Sequence, residues 1–259
     1  MDSSLQRMLE AIDADKAELD AVRPLSPPAL ALLRKRLRLE WSPDARAIEH
    51  HTRSLHETQI VLDSMTMDGK SLSQHCETMG RRGAMRYLDS IVAKNEPLSA
   101  WQIRNIHNVV LKGRVGEEAC RYRHVNVTIA GARTTPPDFL DLPAELAALI
   151  EWHARGEHMH PVARAAELHT RFVKIHPFMD GNGRTGRLLL NVELMKSGYP
   201  PAVIRNEDRA AYCGSLDEAC VSNDYAGISR LIAESVQRSM DIYLDALGLL
   251  VDNRPGDAS

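Results

Sequence analysis

Apolar residues recur every three to four positions through most of this 259-residue chain, the spacing of helices that bury one face. The pattern predicts helices over 5–22, 29–41, 56–63, 72–92, 99–111, 143–155 and 161–174, then over 184–197, 208–221 and 225–249. Punctuation agrees: Pro24, Pro27 and Pro28 part the first two helices, Gly198 suits a C-terminal stop, and Pro200-Pro201 forbid continuation. One segment departs from the rhythm. From Tyr122 to Gly131 the chain alternates, with β-branched Val125, Val127 and Ile129, then runs to Pro136-Pro137; it reads as a short β-hairpin or flap. The expected fold class is mainly α.

Composition narrows the function classes. At 44% hydrophobic, the chain can bury a sizeable core, as one large domain or one domain with a helical extension. A formal charge of −3 provides no overall basic field, so no nucleic-acid partner is expected. The locally basic run Leu33-Arg34-Lys35-Arg36-Leu37-Arg38 has its leucines four apart and reads as the solvated face of a helix. Cys76, Cys120, Cys213 and Cys220 form no C-x-x-C pair and read as reduced, mostly buried thiols. The N-terminus lacks a charged region followed by an apolar one, and no eighteen apolar residues run together. No membrane partner and a cytoplasmic address are therefore expected.

Chemistry concentrates in one stretch, His176-Pro177-Phe178-Met179-Asp180-Gly181-Asn182-Gly183-Arg184-Thr185-Gly186-Arg187, followed at once by Leu188-Leu189-Leu190. Glycines let the backbone turn sharply and present amide donors to an anion where a helix begins. Arg184 and Arg187 are three apart and share a helix face that can grip neighbouring phosphates. Asp180 is a hard oxygen ligand suited to Mg²⁺, which is usually held by one or two carboxylates plus substrate phosphates. His176 is the side chain here that can take a proton at neutral pH. Gly181-x-Gly183-x-x-Gly186 also satisfies a dinucleotide-binding pattern. That reading needs an apolar strand entering the first glycine, and His-Pro-Phe-Met-Asp stands there instead. His50-His51, His56, His153, His158 and His160 lack an i, i+4 pairing with a third ligand and read as surface or core histidines.

The stretch fills all nine specified positions of His-Pro-Phe-x-Asp/Glu-Gly-Asn-Gly-Arg-x-x-Arg, and so resembles the Fic family, whose better-known members transfer AMP from ATP to a hydroxyl of a target protein. The resemblance implies a Fic-type helical fold with the flap beside the active site, holding the target backbone by strand addition. It implies that His176 is the catalytic base, that Asp180 holds Mg²⁺, and that Gly181, Asn182 and Gly183, with the Asn182 amide, hold phosphate oxygens. Arg184 would support the leaving pyrophosphate and Arg187 the γ-phosphate. Phe178 would anchor the loop in the core. The segment ending Asp208-Arg209-Ala210-Ala211-Tyr212 resembles the family region where an aromatic encloses adenine, which makes Tyr212 nucleotide-binding, with Cys213 where a second tyrosine is common. ATP and a protein bearing a Ser, Thr or Tyr hydroxyl are the implied partners, and the resemblance admits a homodimer.

Many Fic proteins carry an inhibitory helix, Ser/Thr-x-x-x-Glu-Gly/Asn, whose glutamate pairs with the second arginine of the motif. Ile48-Glu49-His50-His51-Thr52 resembles the stretch around it and puts Glu49 at the inhibitory position, although Ala45 and His50 depart from the pattern. The implied organisation is an N-terminal helical region over 1–96 with the inhibitory helix near 44–51, a catalytic core over 97–250 and a flexible tail over 251–259. Two alternatives stay open: a nucleotide-binding regulatory module acting through protein partners, and the same fold using another donor or removing AMP.

Overall fold

The structure, a computed structural model, describes residues 3–26, 28–30, 32–33, 66–67, 70–71, 81–111, 121–205 and 207–249. Glu49 and the segment 44–51, the expected helix over 56–63, most of 29–41 and the tail 251–259 lie outside them, as do Cys76 and Cys120.

The described helices are α1 (Ser3–Ala21), α2 (Arg81–Lys94), α3 (Ala100–Leu111), α4 (Leu142–Arg155), α5 (Pro161–Ile175), α6 (Asn182–Lys196), α7 (Arg209–Ser222) and α8 (Ala226–Ala246). Apart from α2, which is described from Arg81 while the first nine residues of the helix expected over 72–92 lie outside the described residues, they run where the periodicity predicts them, to within a few residues. A two-residue antiparallel pair that the apolar spacing does not announce joins β1 (Thr66–Met67) to β2 (Lys70–Ser71), in register Thr66↔Ser71 and Met67↔Lys70. Asp68-Gly69 lies between them in the sequence, a dipeptide favoured in hairpin turns.

Two helices make the centre. α5 and α6 are apolar on several faces because each is covered from both sides. On one side α2, α3 and α4 close a core with Leu88, Ile103, Ile106, Leu146, Phe172 and Leu188. On the other, α1, α7 and α8 close a second core with Leu9, Ile12, Leu194, Ile232, Val236 and Tyr243. Leu33 is fully buried in the second core. The N-terminal helix is thus packed into the body: His160 Nε2 lies 3.2 Å from Asp13 Oδ1, and Gln237 bonds Asp15 at 2.6 Å.

α5 and α6 touch most closely at Gly186. A Cβ there would stand 2.8 Å from His169 Nδ1, 3.0 Å from its Cε1 and 3.1 Å from Val173 Cγ2. The His169 ring cannot swing away, since Tyr212 holds its other nitrogen at 2.6 Å. Overpacking of this kind costs about 1–3 kcal/mol. A thermal melt of Gly186→Ala should show a Tm lower by several degrees, at roughly 2–4 °C per kcal/mol for a chain of this size. An unchanged Tm would mean that α5 and α6 separate freely.

The expected β-hairpin flap is not formed. Residues 121–138 turn at 129–132, where Ala132 N–H donates to the Ile129 carbonyl at 3.1 Å, but they carry no ladder. Side chains bridge the two arms instead. Asn126 Oδ1 accepts the Phe139 N–H at 2.9 Å and its Nδ2 donates to Asp138 at 2.9 Å, while Arg123 reaches the carbonyls of Val125 and Pro137. Pro136 and Pro137 have no N–H to give a ladder. The turn is tethered to α7: Asp217 Oδ1 accepts the N–H groups of Arg133 and Thr134, and the Arg133 guanidinium bonds Asp217 and Glu218.

Candidate active site

The motif occupies the turn from α5 into α6. α5 starts with His160 Nδ1 accepting the Val162 N–H at 3.2 Å and Pro161 in the first turn, and it ends on His176, whose backbone is left-handed at φ 50°. That conformation is uncommon for a residue with a Cβ and is found where surroundings enforce it. Here the His176 N–H donates to the Phe172 carbonyl at 3.1 Å and its carbonyl accepts Arg123 Nε at 2.9 Å. The ring is fixed too: Nδ1 lies 3.3 Å from the Val173 carbonyl. A carbonyl only accepts, so Nδ1 carries the proton and Nε2 keeps its lone pair. Burial, with Arg123 contributing, lowers the His176 pKa and keeps the ring neutral around pH 7.

Below the histidine the loop is braced from within. Phe178 is fully buried and stacks on His107, centroids 3.6 Å apart and planes 2° apart. His107 Nε2 donates to the Asp180 carbonyl at 3.0 Å. Gly181 is left-handed at φ 81°, and a Cβ there would meet His107, Leu111 and Val110 at 3.4 Å. Asn182 is 2% exposed, and its amide both accepts the Phe178 N–H (2.9 Å) and donates to the Phe178 carbonyl (2.8 Å). This corrects the expectation for the Asn182 amide: the side chain closes the loop, so Asn182 offers an anion only its backbone. α6 then begins with no capping side chain, leaving its first-turn N–H groups and its positive dipole end for a ligand.

The charged residues meet as follows. Arg184 Nη2 donates to both oxygens of Asp180 at 3.1 Å, and its Nη1 reaches the Val110 carbonyl at 3.4 Å. Asp180 also accepts the Gly181 N–H at 2.6 Å, yet its side chain is 52% exposed. Arg187 turns back along α6, with Nη1 3.9 Å from the point where a Gly183 Cβ would lie. Tyr212 is elsewhere than expected. Its ring is 6% exposed and stacks on His169, and its hydroxyl is 2.6 Å from His169 Nε2. So buried, it has little face to offer adenine. Cys213 is exposed, whereas Cys220 is buried and its thiol is pushed up to about 11.

Two functional residues escaped the sequence reading, Arg123 and His107. Arg123 is 2% exposed and ties the motif to the flap, its N–H donating to the Pro177 carbonyl at 2.8 Å and its guanidinium to the carbonyls of His176, Val125 (3.0 Å) and Pro137 (2.5 Å). Lone arginines and histidines in predicted flaps and helices give no signal without the fold.

His169 is fully buried, and desolvation, with the Arg187 charge adding, lowers its pKa from 6.5 to about 4. The unfolded chain binds the proton first, so stability is full above pH 6.5 and is lost as pH falls from there toward 4. At about 1.4 kcal/mol per pH unit the loss is on the order of 3 kcal/mol. Melts across that range should show a falling Tm whose slope shrinks in His169→Gln; an equal slope would place the sensitivity in other groups.

Among the described residues no group of three or more His, Cys, Asp or Glu side chains could hold a metal, and no helix is long and apolar enough to cross a membrane. His153 bonds Glu193 at 3.0 Å, and His158 bonds the Arg155 carbonyl at 3.1 Å.

The helical body thus presents a histidine with a free Nε2 beside an uncapped helix start that carries two arginines, an arrangement with the donors to hold a phosphate group. Residues 97–194 match the Fic/DOC family. The chain is 35% identical over 243 residues to "Protein adenylyltransferase Fic" of Nematostella vectensis, covering 92% of this chain and 56% of that protein; it spans about half the length of the curated relatives it matches. Among solved structures it resembles Fic-1 (aa134–508) from C. elegans, at 30% identity and TM-score 0.71 over 95% of this chain and 73% of that one. It also shares the fold of a Fic domain containing signaling protein from Bacteroides thetaiotaomicron, at 24% identity and TM-score 0.65, covering 95% and 99%. The chain belongs to the Fic/DOC family.

Proposed function

We propose that this chain transfers AMP from ATP to a Ser, Thr or Tyr hydroxyl of a target protein, and that Glu49 restrains the reaction in cis. The observation that carries the reading is the histidine tautomer: Nδ1–H is held by the Val173 carbonyl, which leaves Nε2 to accept a proton. The hydroxyl gives its proton to Nε2 as its oxygen bonds to the α-phosphorus. The bond from the α-phosphorus to the α,β-bridging oxygen breaks, and pyrophosphate leaves with that electron pair. His176 then returns the proton to solvent. Developing charge falls on the first-turn N–H groups of α6, with Arg184 and Arg187 for the β- and γ-phosphates.

The residues fit Mg²⁺ as a companion of the triphosphate. Asp180 is a half-exposed carboxylate beside the phosphate-binding helix start, and no protein-only metal cluster accompanies it among the described residues. Asp180 would hold the ion, which neutralises phosphate charge when bound. A protein target is supported by the exposed apolar side chains Val125 in the flap and Met179 in the loop, and by a flap backbone that no ladder occupies. The names of the N. vectensis and D. ananassae relatives support the donor.

The test is incubation with Mg²⁺ and each α-labelled nucleoside triphosphate, reading label on protein. Label should come from ATP. Glu49→Gly should raise it by about tenfold or more, which corresponds to removing a competitor for the Arg187 guanidinium of about 1.4 kcal/mol. An unchanged rate would sink the inhibitory role of Glu49, and label from a different nucleotide would replace the donor.

A further inference from the structure

We infer that His107 is a positioning residue for the phosphate site: by holding the Asp180 carbonyl inward, it turns the Gly181 N–H outward to meet a phosphate oxygen of the nucleotide. The inference rests on the nucleotide reading given above.

His107 is 1% exposed and lies on the buried face of α3 with Ile103, Ile106 and Val110. A polar ring costs free energy in such a place unless it is bonded, and phenylalanine would serve packing alone as well. The bond is the one from Nε2 to the Asp180 carbonyl, at 3.0 Å; a carbonyl only accepts, so Nε2 carries the proton. The stack on Phe178, 3.6 Å and 2°, fixes the plane of the ring and with it the direction in which that N–H points.

This bond sets a peptide plane. In a trans peptide the C=O and N–H point opposite ways, so an Asp180 carbonyl turned toward α3 puts the Gly181 N–H on the other side. There it donates to Asp180 Oδ1 at 2.6 Å, on a carboxylate that is half exposed. An anionic oxygen therefore already lies where a phosphate oxygen would. Gly181 is left-handed and Asn182 begins α6; successive residues of opposite hand make a concave row of N–H groups, here those of 181, 182 and 183, that fits an anion. The first member of the row depends on the plane that His107 sets. Glycine accepts either sign of φ, so Gly181 itself offers little resistance to a flip of the 180–181 peptide, and a flipped peptide would aim a carbonyl oxygen at the phosphate.

Two variants separate this role from packing. His107→Phe keeps a ring to stack on Phe178 and removes the donor, whereas His107→Gln loses the ring and can set an amide N–H where Nε2 lies. Affinity for ATP with Mg²⁺ is measured by calorimetry on the full chain carrying His176→Ala, so that bound ATP is not consumed, and Glu49→Gly, so that no glutamate competes. His107→Phe should weaken ATP about tenfold, the scale of one hydrogen bond to a charged group, and His107→Gln should stay within about threefold of the reference. In thermal melts the order should reverse, with the phenylalanine variant at least as stable as the glutamine one. In the labelling assay, with His176 restored, His107→Phe should lower the rate at saturating ATP by about 10- to 100-fold, as for a misplaced oxyanion donor. Should His107→Phe melt below the assay temperature, His107→Leu, equally without a donor, must show the same loss. ATP affinity in His107→Phe equal to the reference, or no better affinity in His107→Gln than in His107→Phe, overturns the inference. A reference chain that binds no ATP overturns the phosphate site and the inference with it. One that binds ATP but labels no protein sinks the transfer reaction alone, and the order of affinities then decides the inference.

Discussion

Replacing His176 by alanine should lower AMP transfer by about 10²–10⁴-fold, the usual contribution of a positioned general base, while ATP affinity stays within about twofold. The two readouts separate because the loop is braced by other residues: Phe178 on His107, Asn182 on the Phe178 backbone, and Gly181 in its left-handed turn. Position 176 is itself left-handed at φ 50°, so alanine there adds strain unrelated to proton transfer. His176→Asn controls for this, since asparagine tolerates that backbone better and is no base. Both variants should be equally inactive. The pH profile carries the same logic. Only the neutral ring accepts a proton, and burial lowers its pKa, so the wild-type plateau should extend below pH 6.5 before the rate falls with further acidification. A His176→Asn protein that keeps the wild-type rate would assign the base to another group.

What the sequence discloses and what it hides divide along physical lines. Helices such as α5 and α6 are legible because their apolar spacing and their punctuation, Pro161 at one start and Gly198 after the other end, are local properties. The motif is legible because nine specified residues sit in twelve positions, and their order alone brings Asp180 and Arg184 one helical turn apart. The flap was misread in form: alternation at Val125, Val127 and Ile129 is a real strand signal, but Arg123, Asn126 and Asp217 satisfy the backbone that a ladder would have satisfied. Tyr212 and Asn182 were assigned outward-facing roles because residue type tells nothing of direction. Both are buried and bond inward, through partners 43 and 4 residues away. Long-range partnership is the part a single sequence does not encode locally, and Arg123, tied to His176 across 53 residues, is its clearest case.

Arg123→Met should therefore be among the most damaging substitutions outside the motif. The guanidinium serves the carbonyls of His176, Val125 and Pro137, which no single point donor could reach together. Methionine fills much of the volume but leaves these acceptors unpaired in a place where Arg123 is 2% exposed. Each buried unpaired group costs about 1–3 kcal/mol, and water entering the loosened flap offsets part of that, so a net loss on the order of 3 kcal/mol is expected in chemical denaturation. The functional loss should be larger for the protein acceptor than for the nucleotide. The bonds that hold the α6 start together come from His107, Asn182 and Asp180, whereas Arg123 holds the flap and the His176 backbone. Labelling of target should accordingly fall by at least about tenfold, with ATP affinity nearly kept. Arg123→Lys decides whether charge or shape matters. Lysine keeps the positive charge, yet its compact ammonium cannot span three carbonyls on different segments, so it should restore little of the transfer rate. Full restoration by lysine would reduce Arg123 to a local charge and remove the clamp between flap and catalytic loop from the account of this site.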